Sequence, residues 1–110
     1  MNITFANKKL KKQANNFALA QKKLGNDRAT KYHQRIGDMR DVESFNDLQF
    51  LPGNFHNLSS NRNGQWSCNL DHPYRLIFEP ATQPVPTNEH GTPILTEIRI
   101  VKIIEIVDYH

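Results

Sequence analysis

Residues 94–107 read ILTEIRIVKIIEIV, the most apolar stretch of the chain. Branched apolar residues occupy both parities of this stretch, with Ile98, Ile100, Ile104 and Ile106 on one and Val101, Ile103 and Val107 on the other. Strands buried on both faces read as near-continuous apolar runs, whereas half-buried strands alternate. The pattern therefore predicts a long strand over residues 94–107, central to its sheet and covered on both faces.

Three shorter stretches also have the pattern of strands. Residues 65–70 carry an apolar side chain at every second position, and residues 74–78 follow after Asp71-His72-Pro73, which has the length of a hairpin turn. Ile3-Thr4-Phe5 predicts a short edge strand near the beginning of the chain. Residues 80–93 contain four prolines, which predicts an exposed loop or an extended hairpin tip.

The first half of the chain has helical periodicity. A helix over residues 7–24 would place its apolar side chains in one sector and its lysines on the opposite side, with Leu19 as an exception among the lysines. Gly25 is a helix stop, and one of the next two residues is expected to cap a second helix over residues 27–40. These two helices should form an antiparallel hairpin, followed by a short helical piece over residues 42–50.

The order of strand, helices and three antiparallel strands predicts an α+β fold with the helices on one side of the sheet. A length of 110 residues predicts one domain over residues 1–110. No run approaches the ~18 apolar residues of a membrane span, and four lysines between residues 8 and 12 interrupt the only candidate for a secretory signal. Cys68 is the only cysteine, so no internal disulfide is possible, and we expect a soluble, cytoplasmic protein.

The net charge of +3 hides a strong asymmetry. Residues 1–40 carry ten basic and two acidic residues, a net charge of +8, whereas residues 41–110 carry four basic and nine acidic residues, a net charge of −5. A half this basic suggests a polyanionic or acidic partner. The plainer alternative is a solvated helix face that uses lysine.

Motifs of cofactor-dependent enzymes are missing from the sequence. Its glycines are isolated, so no phosphate-binding loop is present, and there is no His-x-x-x-His or Cys-x-x-Cys pair of the kind that binds zinc. We therefore expect neither a metal nor a cofactor. Cys68 shares the apolar parity of Trp66 and Leu70, which predicts inert packing rather than a nucleophile.

Two groups of residues are candidates for chemistry. Asp108, Tyr109 and His110 follow the apolar strand directly, and all three side chains can hold or move a proton. The alternative, a frayed tail, fits poorly with so hydrophobic a strand before it.

The second group is His56, Arg62 and Arg75. An unpaired guanidinium is costly to bury, so Arg75 must face outward or reach a partner, and a surface ion pair with Glu79, Glu97 or Glu105 is equally consistent with the spacing. For His56, in a polar loop, a surface histidine without a role is the default.

Together these residues resemble the landmarks of the RelE/ParE toxin superfamily, and within it the HigB-like killer proteins of bacterial toxin–antitoxin modules. The similar segments are Leu51-Pro52-Gly53, His56-Asn57-Leu58, Arg62-Asn63-Gly64-Gln65-Trp66-Ser67, Tyr74-Arg75-Leu76-Ile77-Phe78 and Ile104-Glu105-Ile106-Val107-Asp108-Tyr109-His110. The resemblance covers residues 50–110, and the helical half matches mainly in pattern. It implies a RelE-like small antiparallel β-sheet packed against an N-terminal helical hairpin.

HigB-like toxins cut mRNA at the ribosomal A site without a metal ion, so the resemblance implies a ribosome-dependent endoribonuclease that inhibits translation and growth. The family's loop histidine, mid-strand arginine and terminal Asp-Tyr-His group correspond to His56, Arg75, Asp108, Tyr109 and His110. The 2′-hydroxyl of RNA can attack the adjacent phosphorus, so the protein need only move protons and stabilise the phosphorane.

Roles for these residues follow as hypotheses. His110 or Asp108 would act as the general base or align it, and His56 or His110 would protonate the leaving 5′-oxygen; which is acid and which is base stays open. Arg75 would neutralise the phosphorane, and Tyr109 would stack on or orient a nucleotide. Residues expected to bind RNA are Arg62, at a backbone phosphate, and Lys8, Lys11, Lys12, Lys22 and Lys23, at ribosomal RNA.

Two other functions are compatible with the same superfamily. A ParE-like toxin would poison DNA gyrase by contact and would need no catalytic residues, and a degenerate toxin would only bind its antitoxin and operator DNA. In either toxin reading the partner is a cognate antitoxin with a helix-turn-helix, HigA-like domain, and operator DNA is bound only by the complex. We interpret the loop over residues 80–93, which includes His90, as a tolerated insertion rather than a contact for antitoxin or ribosome.

Overall fold

The computed structural model describes residues 1–108, and this part of the chain contains one five-stranded sheet. Its strands are β1 (Asn2–Phe5), β2 (His56–Asn57), β3 (Trp66–Asn69), β4 (Tyr74–Pro80) and β5 (Ile100–Asp108). Their spatial order is β1-β5-β4-β3-β2, and every neighbouring pair is antiparallel except β1 with β5. The α+β class is therefore confirmed. The three antiparallel strands predicted for residues 65–107 are confirmed, but the sheet is mixed and not antiparallel throughout as the resemblance implies, because β1 and β5 are far apart in sequence and no hairpin constrains their direction.

β5 is an interior strand, as its apolar sequence predicts, since it lies between β1 and β4. It begins at Ile100 rather than at residue 94. Before it, Leu95–Glu97 forms a 3₁₀ turn, and the carbonyl of Ile98 accepts a hydrogen bond of 3.0 Å from the backbone N–H of Phe45. The predicted strand is too long at its start, because Ile94 bonds to the carbonyl of Pro86 and Ile98 bonds to Phe45 of the segment before β2.

A bulge interrupts the pairing of β4 with β5. Ile77 is in register with Glu105, but the next residue, Phe78, is in register with Ile103. Ile104 is therefore the extra residue on β5, and a bulge of this kind shifts the pleat of the strand that carries it.

The bulge explains why both parities of β5 are apolar. Val101 and Ile103 pack into the core before the bulge, and Ile106 packs against the core after it. Between the first two, Lys102 is exposed. The expectation that both faces of this strand are covered is therefore wrong, because the bulge moves the core-facing row from one parity to the other.

Four helices connect β1 to β2: α1 (Lys8–Asn15), α2 (Phe17–Leu24), α3 (Asn26–Asp41) and α4 (Phe45–Leu48). No helix within residues 1–108 has both the length and the apolar character that crossing a membrane requires. The predicted single helix over residues 7–24 is wrong, because Asn16 adopts an extended conformation (φ −140°, ψ 102°) and ends α1. Its side-chain oxygen accepts the N–H of Leu19 and so caps α2. The break leaves Phe17 39% exposed, outside the apolar sector expected for it.

Both α1 and α2 pack against α3, which confirms the helical hairpin. The hydroxyl of Tyr32 donates to the carbonyl of Leu10 at 2.9 Å, and Nε2 of His33 donates to the carbonyl of Gln13 at 2.7 Å. Gly25 occupies the N-cap position of α3, where it has no side chain that could accept a hydrogen bond. The two residues expected to provide that cap lie inside the helix instead.

Four aromatic rings connect α4 to the sheet. Phe45 packs edge-on against Trp66 with ring centroids 5.4 Å apart, and Phe78 lies 6.0 Å from Phe45 and 5.9 Å from Phe55. Phe55 is only 6% exposed and immediately precedes β2. This cluster anchors the segment between α4 and β3 to the core.

Cys68 lies in the same core, as expected, and its burial raises the pKa of the thiol to about 12. Burial also raises the pKa of Tyr32. Both groups stay protonated in the folded protein at a pH where the unfolded chain releases their protons. Burial of the thiol therefore contributes no pH dependence to the free energy of unfolding below the ordinary thiol pKa near 9, and its contribution decreases that free energy between about pH 9 and 12.

We expect Cys68→Ala to lose part of this alkaline sensitivity. One thiol contributes a slope of up to about 1.4 kcal/mol per pH unit, so the stability difference between wild type and C68A should shrink as the pH rises above 9. Denaturant unfolding at pH 8, 9 and 10 measures it. Parallel pH profiles for the two proteins would contradict the assignment.

Candidate active site on the outer face of the sheet

The two faces of the sheet differ in chemistry. Successive side chains of a strand point to opposite faces, and Trp66 and Cys68 of β3, with Leu76 and Phe78 of β4, pack into the core beside the helices. The opposite face therefore carries the residues between them. We call it the outer face; its register positions are His56, Ser67, Asn69, Arg75, Ile77, Glu105 and Val107.

His56 lies on β2, in register with Ser67. Its Nδ1 is 2.8 Å from the carbonyl oxygen of Asn54. A carbonyl oxygen only accepts, so the proton of the neutral ring is on Nδ1, and Nε2 keeps its lone pair. The sequence pattern assigns His56 to a polar loop because two residues of strand are too few to alternate.

Arg75 lies on the same face as His56. It is half-buried on β4, two residues from Ile77, which belongs to the cross-strand row of His56 and Ser67. With strands about 4.8 Å apart and a rise of about 3.4 Å per residue, the Cα atoms of His56 and Arg75 are about 12 Å apart. That separation leaves room for a phosphate group between an imidazole and a guanidinium.

Arg62 crosses the outer face as one half of an ion pair. It ends the 3₁₀ turn Ser60–Arg62, and one of its terminal nitrogens lies 2.8 Å from Oε1 of Glu105 on β5. The other terminal nitrogen donates to Oε1 of Gln65 at 3.0 Å. The guanidinium expected to hold a phosphate is therefore occupied by a carboxylate, which a phosphate would have to displace.

Ser67 belongs to the same cross-strand row as Glu105, with Ile77 between them. Its residue is fully buried, and its Oγ has no hydrogen-bond partner within the part of the chain that the structure describes. Buried hydroxyls normally have a partner, so an unsatisfied one lowers stability unless it serves another purpose. Sequence reasoning did not single out Ser67, although its parity opposite Trp66 and Cys68 places it on the face of His56.

The C-terminal group is described only in part. Asp108 is exposed, ends β5 and is in register with Tyr74. The ring of Tyr74 lies 3.3 Å from the guanidinium carbon of Arg28 on α3, so this row belongs to the helix side of the sheet. The structure thus brings His56 and Arg75 to one face and assigns Asp108 to the other. Tyr109 and His110 lie outside the described residues, and their roles stay predictions.

The lysines form a separate surface on the helices. Lys8, Lys11, Lys12, Lys22 and Lys23 are all exposed. A concavity of about 480 Å³ between α1 and α2 is lined by the first three of them together with Leu19. The break at Asn16 turns Leu19 into this concavity, which accounts for the one apolar residue among the lysines.

The loop after β4 does not contribute to the outer face. Residues 81–99 hold one isolated bridge, Thr87 to Pro93, and they border a cavity of about 490 Å³ whose other walls include Trp66 and Leu58. No charged side chain lines that cavity among the described residues. Within residues 1–108, no three His, Cys, Asp or Glu side chains are grouped so that they could hold a metal ion.

Comparison with known proteins leaves the function open. No family model matches this chain, and no curated protein sequence is significantly similar to it. The motifs and the geometry of the outer face therefore carry the functional argument.

We expect Ser67→Ala to leave the protein at least as stable as wild type, because it removes a buried hydroxyl that lacks a partner; a gain of up to about 1 kcal/mol is reasonable. Ser44→Ala is the matched control. Ser44 is also buried, but it forms the capping box of α4 with Asp47, so its loss should cost about 1 kcal/mol. Denaturant unfolding of both variants measures the difference. A loss for S67A equal to that of S44A would contradict the unsatisfied state of Ser67.

Proposed function

We propose that this protein is the toxin of a type II toxin–antitoxin module and that it cleaves mRNA in the ribosomal A site without a metal ion. The observation that carries the proposal is the placement of His56 and Arg75 on one face of the sheet, with the Nδ1 proton of His56 held by a carbonyl. The terminal Asp108-Tyr109-His110 of the sequence supports it.

RNA supplies its own nucleophile, which suits so small a site. Attack of the 2′-hydroxyl on the adjacent phosphorus gives a 2′,3′-cyclic phosphate and a free 5′-hydroxyl. The reaction needs one base, one acid and a positive charge beside the phosphorane. Nε2 of His56 can take or return one proton, and Arg75 supplies the charge. Because Asp108 lies on the other face of the sheet, the second proton-transfer group is proposed to be Tyr109 or His110.

Arg62 and the lysines would act in binding. A phosphodiester presents oxygens to a guanidinium much as a carboxylate does, so an mRNA phosphate can replace Glu105 on Arg62. The lysine surface lies on the helices and not on the outer face, so it is suited to bind ribosomal RNA while the outer face acts on mRNA. The proposed antitoxin, carrying a helix-turn-helix domain, would block one of these two surfaces.

Primer extension on mRNA bound to purified translating ribosomes tests this function. We expect cuts within A-site codons that depend on ribosomes and that persist with a chelator of transition metals that spares magnesium. Intact mRNA together with gyrase-dependent DNA breaks would instead support a ParE-like toxin. If the protein were inactive in both assays, the remaining function would be that of a degenerate toxin, which only binds its antitoxin and operator DNA.

We expect His56→Gln to reduce ribosome-dependent cleavage by about 10²- to 10⁴-fold, because Gln cannot transfer a proton at neutral pH. His90→Gln is the matched control, since the His90 side chain is 80% exposed in the loop after β4. Single-turnover cleavage of ribosome-bound mRNA is the measurement. Equal activity of H56Q and H90Q, with both proteins folded, would exclude proton transfer by His56.

We expect Arg75→Met to reduce cleavage by about 10²- to 10³-fold, the range for loss of one group that stabilises charge in the transition state. Arg99→Met removes an equal charge from an exposed position and should have little effect. The same single-turnover assay applies, at saturating ribosomes so that weaker binding does not mask the chemical step. An effect on ribosome affinity alone would assign Arg75 to binding.

A further inference from the structure

A glycine just before β2 is packed against a buried arginine of α3. Gly53 has φ +111°, and a Cβ placed on it would lie 2.6 Å from Cζ and 2.6 Å from Nε of Arg35. Side chains never approach so closely, so this position accepts only glycine while Arg35 stays in place. Arg35 itself is 6% exposed.

The main chain of Asn69 joins the same two residues. Its N–H donates to the carbonyl of Gly53 at 2.8 Å, and its own carbonyl accepts Nε–H of Arg35 at 2.8 Å. Gly53 is therefore held between the end of β3 and the guanidinium of α3. Burying a guanidinium is costly, and an apolar side chain would fill an interior helix position without that cost. Arg35 thus has a use that simple packing does not explain.

The residue after Gly53 orients the candidate catalytic histidine. Asn54 also has a positive φ, +54°, and its carbonyl oxygen accepts the Nδ1 proton of His56. Two successive left-handed residues aim this carbonyl at the imidazole. Gly53 is the one clamped by Arg35 and Asn69, so the position of the Asn54 carbonyl depends on that clamp.

We infer that Arg35 is a positioning residue for His56: by clamping Gly53 it sets the Asn54 carbonyl and so holds His56 as the Nδ1–H tautomer with Nε2 directed to the substrate. The inference rests on the proposed function for its catalytic consequence. Its structural part does not, because a tautomer can be measured without RNA. Arg35 is 34 residues from Asn69 and contacts no substrate in this scheme.

Nitrogen-15 NMR of the histidine rings tests the inference in the isolated full chain. Wild type should show His56 as the Nδ1–H tautomer and His33 as the opposite one, since Nε2 of His33 donates to a carbonyl. In Gly53→Ala, His56 should change to a tautomer mixture while His33 stays unchanged. A wild-type His56 with its proton on Nε2, or a G53A protein with wild-type His56 signals, would overturn the inference.

Gly25→Ala is the matched control for backbone strain. Gly25 also has a positive φ, +86°, but nothing lies within 4 Å of the Cβ it would gain. It should therefore share the strain of G53A without altering His56. If G25A changed the His56 tautomer as much as G53A does, general destabilisation and not the clamp would be responsible, and the inference would be wrong.

Arg35→Met removes the guanidinium that clamps Gly53 from the side of α3. It provides the same test if the G53A protein does not fold. It should shift the His56 tautomer and reduce cleavage by about 10- to 100-fold with ribosome affinity unchanged, as expected when a reacting group is slightly misplaced. Arg28→Met is its control, because Arg28 is also on α3 but binds Asp71 instead. An R35M protein with the wild-type tautomer would overturn the inference. If wild type cleaves no mRNA but R35M shifts the tautomer, the proposed function fails and the positioning role stands.

Discussion

The rest of the molecule depends on the hydrogen-bonded pairing of β5 with both β1 and β4. It joins the two ends of the chain in one sheet, so the helices between them must cross one face and leave the other without helices. The bulge at Ile104 then keeps the core continuous, because it lets Ile103 and Ile106 face the helices although their parities differ. The outer face thereby carries His56, Arg75 and Glu105 without a helix packed over them.

Two arginines organise the outer face and its border from different elements. Arg62 reaches across to Glu105 on β5, at a half-exposed position where an ion pair is weak and open to exchange with another anion. Arg35 comes from α3 and donates to a main-chain carbonyl, and its burial keeps solvent anions away from this hydrogen bond. The first arrangement suits a residue that binds substrate, and the second suits a residue that only fixes geometry. Net charge is concentrated on the lysines of the first helices and identifies neither of these two arginines.

Much of the fold could be predicted because its signals are local. The hairpin of β3 and β4 follows from alternation around Asp71-His72-Pro73, and the buried state of Cys68 follows from its parity. The errors have local causes too. At Asn16 the periodicity of the apolar residues hid a competing side-chain cap, and at residues 94–99 apolar residues that pack against α4 were indistinguishable from strand. Prediction of the site stopped at residue types, because the motif named His56 and Arg75 but not their separation.

Residue order alone was sufficient for the class of fold, the helical hairpin and the interior position of β5, because each follows from local patterns of apolar and polar residues. It also carries the resemblance on which the proposed chemistry rests. Contacts between distant residues could not be derived in this way. Arg35 clamps Gly53 from 18 residues away, and Arg62 pairs with Glu105 from 43 residues away. The hydroxyl of Ser67 lacks a partner only because the folded chain buries it. Their geometry exists only once the helices pack on the sheet, since a hydrogen bond or a steric contact depends on distances in space that the order of residues does not contain.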